Sequence, residues 1–246
     1  GVIGRCVGRH HQLGWPIEVE LLGMAARDGK VLNIGDFALQ PARQTDPSIP
    51  LVLITGTSMN SGKTQVANEL IKHFAREGYK VGAGKVSGVA CLRDTLDMQD
   101  HGAAKALSFL DCGYPSTVKV ENIAPLAKTI VAHLAEIKPD LIVLELGDGV
   151  LGGYNVDSLF DDQEFMAGTA AVTFCAGDFV GAWGGIQLLK EKGVDVAVIS
   201  GEATDSPMGV EFIEKKFGVH AANALNGGEK LYSLVLQRIQ AWQESK

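Results

Sequence analysis

The stretch Leu51-Val52-Leu53-Ile54-Thr55-Gly56-Thr57-Ser58-Met59-Asn60-Ser61-Gly62-Lys63-Thr64 decides how the rest of the chain is read. Leu51 to Thr55 are apolar or β-branched and predict a buried strand. Gly56 closes that strand. Gly62-Lys63-Thr64 opens a helix whose Val66, Leu70, Ile71 and Phe74 share one face. A strand, a glycine-bounded loop and a helix together form a phosphate cradle. Glycines let backbone N–H groups turn inward around phosphate oxygens, and the helix N-terminus adds positive potential. Lys63 supplies a full charge, and the Thr64 hydroxyl is suited to a Mg²⁺ ion.

The spacing is unusual. Counting back from Gly62, the customary first glycine position holds Thr57, and Gly56 stands one residue earlier. A glycine-rich turn with an incidental Lys-Thr pair is the competing reading, but the strand before and the helix after favour the cradle. The loop therefore predicts a P-loop nucleoside triphosphatase, with ATP and Mg²⁺ as ligands. Its expected nucleotide contacts are Gly56, Thr57, Ser58, Met59, Asn60, Ser61, Gly62, Lys63, Thr64 and Gln65.

Working outward, 246 residues accommodate one α/β domain and a small appendage. With 46% apolar residues the chain can bury a full core. The formal charge is 22 − 29 = −7, and no Lys/Arg-rich run is present, which argues against a nucleic-acid partner. No apolar run reaches membrane-spanning length and no secretory signal is seen. Cys6, Cys91, Cys112 and Cys175 are scattered without a Cys-x-x-Cys pair, as in a reduced, cytoplasmic protein. The chain opens on Gly1 without Met, so a trimmed or incomplete N-terminus is expected.

Residues 1–48 differ in pattern from the rest of the chain. Ile17 to Leu22 alternates in part, Ala26-Arg27-Asp28-Gly29 signals a turn, and Lys30 to Ile34 reads as a second short strand. This predicts a β-hairpin appendage joined to the main domain by Gln40 to Pro50. His10-His11 invites a metal reading, but neighbouring strand residues point to opposite faces, so a solvated pair is preferred.

From Leu51 onward strand and helix patterns alternate. Strands are expected at Lys80–Lys85, Leu141–Leu144, Ala170–Cys175 and Val194–Ser200. Helices are expected at Asp97–Leu110, Ile123–Ile137, Gly177–Glu191 (interrupted at Gly184-Gly185), Met208–Phe217 and Gly228–Gln243. Continuous apolar strands between amphipathic helices predict an α/β fold: a mainly parallel, Rossmann-like sheet in a three-layer arrangement with helices on both faces. The nucleotide-binding domain is expected over 49–246.

In such a sheet ligands lie beyond the carboxyl ends of the strands. Lys85 ends its strand there and is a candidate second lysine on the phosphates or on an anionic substrate. A solvated strand-end lysine is the alternative. Asp94, Asp97 and Asp100 follow closely, either as a Mg²⁺ site or as plain acidic surface. Glu145 follows four apolar strand residues, where an acid holds Mg²⁺ directly or through water. The loop Gly147 to Gly153 allows close backbone approach, and Asp148 rivals Glu145 for the metal role. The candidate set is thus Lys63, Lys85 and Glu145 for catalysis, and Thr64, Glu145 and Asp94 for the metal.

With these residues assembled, the chain resembles the dethiobiotin synthetase-like branch of P-loop proteins. That family's Gly-Thr-x4-Gly-Lys-Thr matches Gly56, Thr57, Gly62, Lys63 and Thr64, including the spacing that looked unusual. Its Lys-Pro-Val with Ser-Gly nearby is similar to Lys85-Val86-Ser87-Gly88, without the proline. Its Glu and glycine-rich loop match Glu145 to Gly153, and its Gly-x-Ile-Asn helix start is similar to Gly184-Gly185-Ile186-Gln187. The likeness runs over roughly residues 50 to 240. Ser200-Gly201 stands where the family has an Asn for the adenine base, and the N-terminal hairpin is foreign to the plain synthetase. The resemblance implies transfer of the ATP γ-phosphoryl group to a small carboxylate or carbamate. It also implies pairing of two subunits across the nucleotide edge, near the apolar run Ala170 to Trp183. Two other classes stay open: a regulatory or assembly ATPase acting on a partner protein, and an acyltransferase holding a coenzyme A-like diphosphate in the cradle.

Overall fold

The computed structural model describes residues 3–7 and 14–246. The His10-His11 pair lies outside the described residues. In the main body, seven parallel strands form one sheet in the order β5-β4-β6-β3-β7-β8-β9. The central strand is β3 (Leu51–Gly56), with β6 (Leu141–Leu146) on one side and β7 (Thr169–Cys175) on the other. Outward from β6 come β4 (Val81–Ser87) and β5 (Lys105–Ser108). Outward from β7 come β8 (Val198–Ser200) and β9 (His220–Ala221).

Strand periodicity explains the layers. Along β3, Leu51 and Leu53 enter one core while Val52 and Ile54 enter the other. The first core is closed by α3 (Ala124–Ala135), α4 (Gln163–Ala167), α5 (Phe179–Glu191) and α6 (Pro207–Phe217). The second is closed mainly by α1 (Lys63–Arg76), α2 (Leu92–Asp100) and α7 (Gly228–Glu244). Every residue of β3 and of β6 is buried, as expected for strands covered on both faces.

Several expectations need correction. Ile17 to Leu22 is not a strand, and Ile17 and Leu22 are each 90% exposed. The only hairpin among the described residues pairs β1 (Ala26–Arg27) with β2 (Lys30–Val31). Asp28 and Gly29 turn it at φ 51° and 77°, the double positive φ that a two-residue hairpin turn requires. Ile34 opens a short 3-10 helix rather than ending a strand, because Asn33 and Asp36 form a reciprocal capping box there. The segment leading into β3 lies against the body. Leu39 N–H donates to the Asp111 carbonyl at 2.7 Å, and Ala42 N–H to Thr129 Oγ1 at 3.2 Å.

The helix expected over Asp97–Leu110 is instead two elements. Helix α2 runs over Leu92–Asp100, Gly102 breaks it at φ 110°, and Lys105–Ser108 pairs with β4. Helix α5 passes through Gly184-Gly185 without interruption, because Gly185 is a packing residue. A Cβ there would lie 2.1 Å from the buried Phe174 ring. Strand β8 begins at Val198, not Val194.

Candidate functional site

Strand β3 delivers its last residue to a crowded point. A Cβ on Gly56 would sit 2.4 Å from the Cys175 carbonyl oxygen and 2.6 Å from Ser61 Oγ, so only glycine fits. The loop then swings back through Asn60 and Gly62, both at positive φ, into α1. Gly62 provides no side-chain cap, which leaves the first-turn N–H groups of α1 free to meet an anion. Lys63 is only 5% exposed. Its Nζ donates to the Ser58 carbonyl at 2.6 Å and to Ser61 Oγ at 3.3 Å, so the loop closes around its own lysine. Burial pushes the Lys63 pKa below the ordinary lysine value, against the pull of nearby Glu145 and Asp148.

Strands β3, β4 and β6 bring the remaining candidates together. The register sets Lys85 opposite Glu145 on adjacent strands. Lys85 Nζ lies 2.6 Å from Asp94 Oδ2 and 3.5 Å from Glu145 Oε1. Thr64 Oγ1 donates to the same Glu145 oxygen at 3.0 Å. Burial works against the charge on Lys85, yet Glu145 and Asp94 outweigh it and hold its pKa above the ordinary lysine value. The second oxygen of Glu145, Oε2, is buried with no hydrogen-bond partner. A carboxylate oxygen sealed from water and left unpaired is costly. Beside the Thr64 hydroxyl, it has the chemistry of a Mg²⁺ site, so these residues fit the ion.

The acidic trio does not converge. Asp94 reaches the cluster through Lys85. Asp97 accepts from Asn68 Nδ2 at 2.6 Å, and Asp100 is exposed. Among the described residues no group of three or more His, Cys, Asp or Glu side chains is arranged to hold a metal ion.

These side chains line a cavity of about 460 Å³. Met59, Asn60, Gly62, Lys63, Thr64 and Gln65 come from the loop after β3 and the start of α1, and Lys85 and Glu145 from β4 and β6. Gly88, Val89, Gly147, Asp148 and Tyr154, from the segments that follow those two strands, supply a further wall. That wall is pinned. Ser87 Oγ donates to the Gly147 carbonyl at 3.0 Å, and a Cβ on Gly149 would lie 2.3 Å from the Thr57 carbonyl oxygen. Sequence reasoning weighed Asp148 only as a metal ligand and missed Val89 and Tyr154 altogether. The glycine-rich loop after Glu145 flagged the wall, but nothing in the sequence singles out Tyr154.

No protein-family model matches the chain. Over 94 residues it is 34% identical to the ATP-dependent dethiobiotin synthetase BioD of Thermodesulfovibrio yellowstonii, which covers 36% of this chain and 38% of that protein. The match thus spans less than two-fifths of the curated relative's length. Among solved structures, the signal recognition particle receptor FtsY from Elizabethkingia anophelis superposes with a TM-score of 0.54 at 14% identity, over 82% of this chain and 70% of that one. Chloroplast FtsY from Physcomitrella patens gives 0.52 at 13% identity, over 81% and 67%. The 54 kDa signal recognition particle protein from Aeropyrum pernix, solved in complex with GDP, gives 0.50 at 17% identity, over 84% and 52%. At these identities the likeness is one of fold alone, a parallel sheet between layers of helices.

Proposed function

We propose that the chain binds a nucleoside triphosphate with Mg²⁺ and transfers its γ-phosphoryl group to a small carboxylate or carbamate. The observation that carries this reading is the convergence of Lys63, Lys85, Thr64 and Glu145 at one end of three adjacent strands, with a buried Glu145 oxygen left unpaired. Phosphoryl transfer is largely positioning and neutralisation of charge, so such a set suffices. Lys63 exchanges its loop carbonyl for phosphate oxygens. Thr64 and Glu145 would hold Mg²⁺, which supplies charge neutralisation on the phosphates when bound. Lys85 meets the negative charge that builds up as the γ-phosphoryl group moves. The partial likeness to an ATP-dependent synthetase supports ATP as the nucleotide.

The test is a calorimetric titration of ATP and GTP, with and without Mg²⁺, alongside steady-state turnover. Lys63→Ala should abolish triphosphate binding. Lys85→Ala should lower kcat far more than it weakens nucleotide binding, as expected of a contact made mainly in the transition state. Weakened binding with unchanged kcat would rule out that role for Lys85.

A second reading, nucleotide-controlled assembly of two copies, is favoured by an exposed aromatic face. The tilted rings of Phe179 and Phe212 have centroids 4.6 Å apart, and Trp183 meets Phe217 at 5.3 Å. Helix α5 begins beside the cradle, where a Cβ on Gly181 would lie 2.8 Å from Thr57 Cγ2. Light scattering at micromolar concentration checks it, and a monomer with and without nucleotide would reject the homodimer.

A further inference from the structure

Asp148 is the one acid lining the cavity that the phosphoryl-transfer chemistry leaves unused. Its carboxylate makes no hydrogen bond or ion pair with the described residues, whereas Glu145 is held by Thr64 and Lys85. Its backbone stands at φ 67°, in the left-handed region that Asp tolerates better than most residues. The neighbouring glycines fix that position. A Cβ on Gly147 would lie 2.1 Å from the Ser87 carbonyl oxygen, and one on Gly149 would lie 2.3 Å from that of Thr57. The carboxylate is therefore presented to the cavity on a pinned loop.

Charge counting gives this position a meaning. Among the described residues lining the cavity, the cations are Lys63 and Lys85, with no arginine or histidine. Lys63 belongs to the cradle, and Lys85 is already shared between Asp94 and Glu145. A triphosphate brings several negative charges, which a bound Mg²⁺ would offset only in part, and an acceptor carboxylate adds another directly facing them. Asp148 makes that imbalance worse unless the acceptor carries its own positive charge.

We propose that Asp148 is a binding subsite for an ammonium group, and that the acceptor is an amino acid or a similar ammonium-bearing carboxylic acid. This rests on the phosphoryl-transfer reading above and narrows its substrate class. In the reaction, an acceptor carboxylate oxygen forms a bond to the γ-phosphorus. The bond from that phosphorus to the β,γ-bridging oxygen breaks, and its electron pair leaves with the nucleoside diphosphate. No proton moves, and the ammonium group stays ionised against Asp148 throughout.

The probes are matched pairs of acids, each amino acid beside its des-amino and N-acetyl counterparts: alanine with propionate, glutamate with glutarate. Binding is measured by calorimetry in the presence of Mg²⁺ and the β,γ-imido analogue of ATP. Product is trapped separately as a hydroxamate, with ATP and hydroxylamine. In the wild type at least one amino acid should bind about tenfold or more tighter than its des-amino and N-acetyl counterparts. Asp148→Asn, which keeps the left-handed backbone, should erase that preference, and Asp148→Gly should do the same. Equal binding of amino and des-amino acids overturns the inference while leaving phosphoryl transfer standing. A preference that survives both substitutions overturns it too. So does a loss of Mg²⁺-nucleotide affinity in Asp148→Asn that matches its loss of amino-acid affinity, because Asp148 would then serve the metal. If the nucleotide binds but neither kind of acid binds or yields hydroxamate, the phosphoryl-transfer reading fails and takes this inference with it.

Discussion

At the scale of single residues, the two cavity lysines are set in opposite ways by their surroundings. Lys63 hydrogen-bonds only neutral oxygens, and burial lowers its pKa despite the carboxylates nearby. Lys85 is buried between carboxylates, and its pKa is raised. For Lys85 the native pKa lies above the ordinary 10.5, so its ion pairs contribute fully below pH 10.5 and are lost as pH rises through the native value. The stability advantage of the wild type over Lys85→Met should therefore hold up to about pH 10.5 and shrink only above it. Thermal unfolding between about pH 9 and pH 12 measures this. Glu145 gives a second expectation. Glu145→Gln should retain nucleotide binding and lose Mg²⁺-dependent turnover by about a hundredfold or more, since the amide keeps the shape without the charge. If Asp148→Asn is the more damaging variant in the same assay, the metal-bearing acid is the other one. That Lys63, Thr64 and Glu145 come together was legible in the sequence, because motif spacing and a strand end locate them at one sheet edge. The hold of Asp94 on Lys85 was not, because it depends on how helix α2 docks against β4.

At the scale of elements, the β3–loop–α1 unit was readable because three independent signals agree: a β-branched run, a glycine boundary and a 3.6-residue apolar period. Helix α2 and strand β5 were misread as one helix. Ala103 to Leu107 has no marked period of its own, and its pairing with β4 is a long-range fact. The glycine pair of α5 misled for the opposite reason. Gly185 is required by what lies across from it, the Phe174 ring, and not by the helix. Gly185→Ala should raise helix propensity and still destabilise the protein, by about 1–3 kcal/mol, because the added methyl overpacks a filled core. Chemical denaturation reads the loss. Nucleotide affinity should persist in the folded variant, because Gly185 faces the core and does not line the cavity.

At the scale of the whole molecule, the main body is one sheet between two helical layers, and the stretch from Leu39 to Ala42 is fastened to its flank. We propose that residues 49–246 form a domain in their own right. Removing residues 1–48 should leave a folded protein that still binds nucleotide, with a melting temperature lowered by several degrees as the contacts of Leu39 and Ala42 with the body are lost. A fragment that does not fold would make the segment part of the domain. The parallel connectivity has a further consequence, for the order of assembly. Strand β3 is the earliest of the seven in the chain, yet its neighbours arrive late: Leu51 pairs with Ile142 on one side and Thr169 on the other. Closing such distant pairings is entropically slow. As the chain emerges from a ribosome, the phosphate loop is synthesised early but stays unsupported until Cys175 and Ser200 have followed it. A nascent chain halted before β7 would hold the whole cradle motif and no cradle.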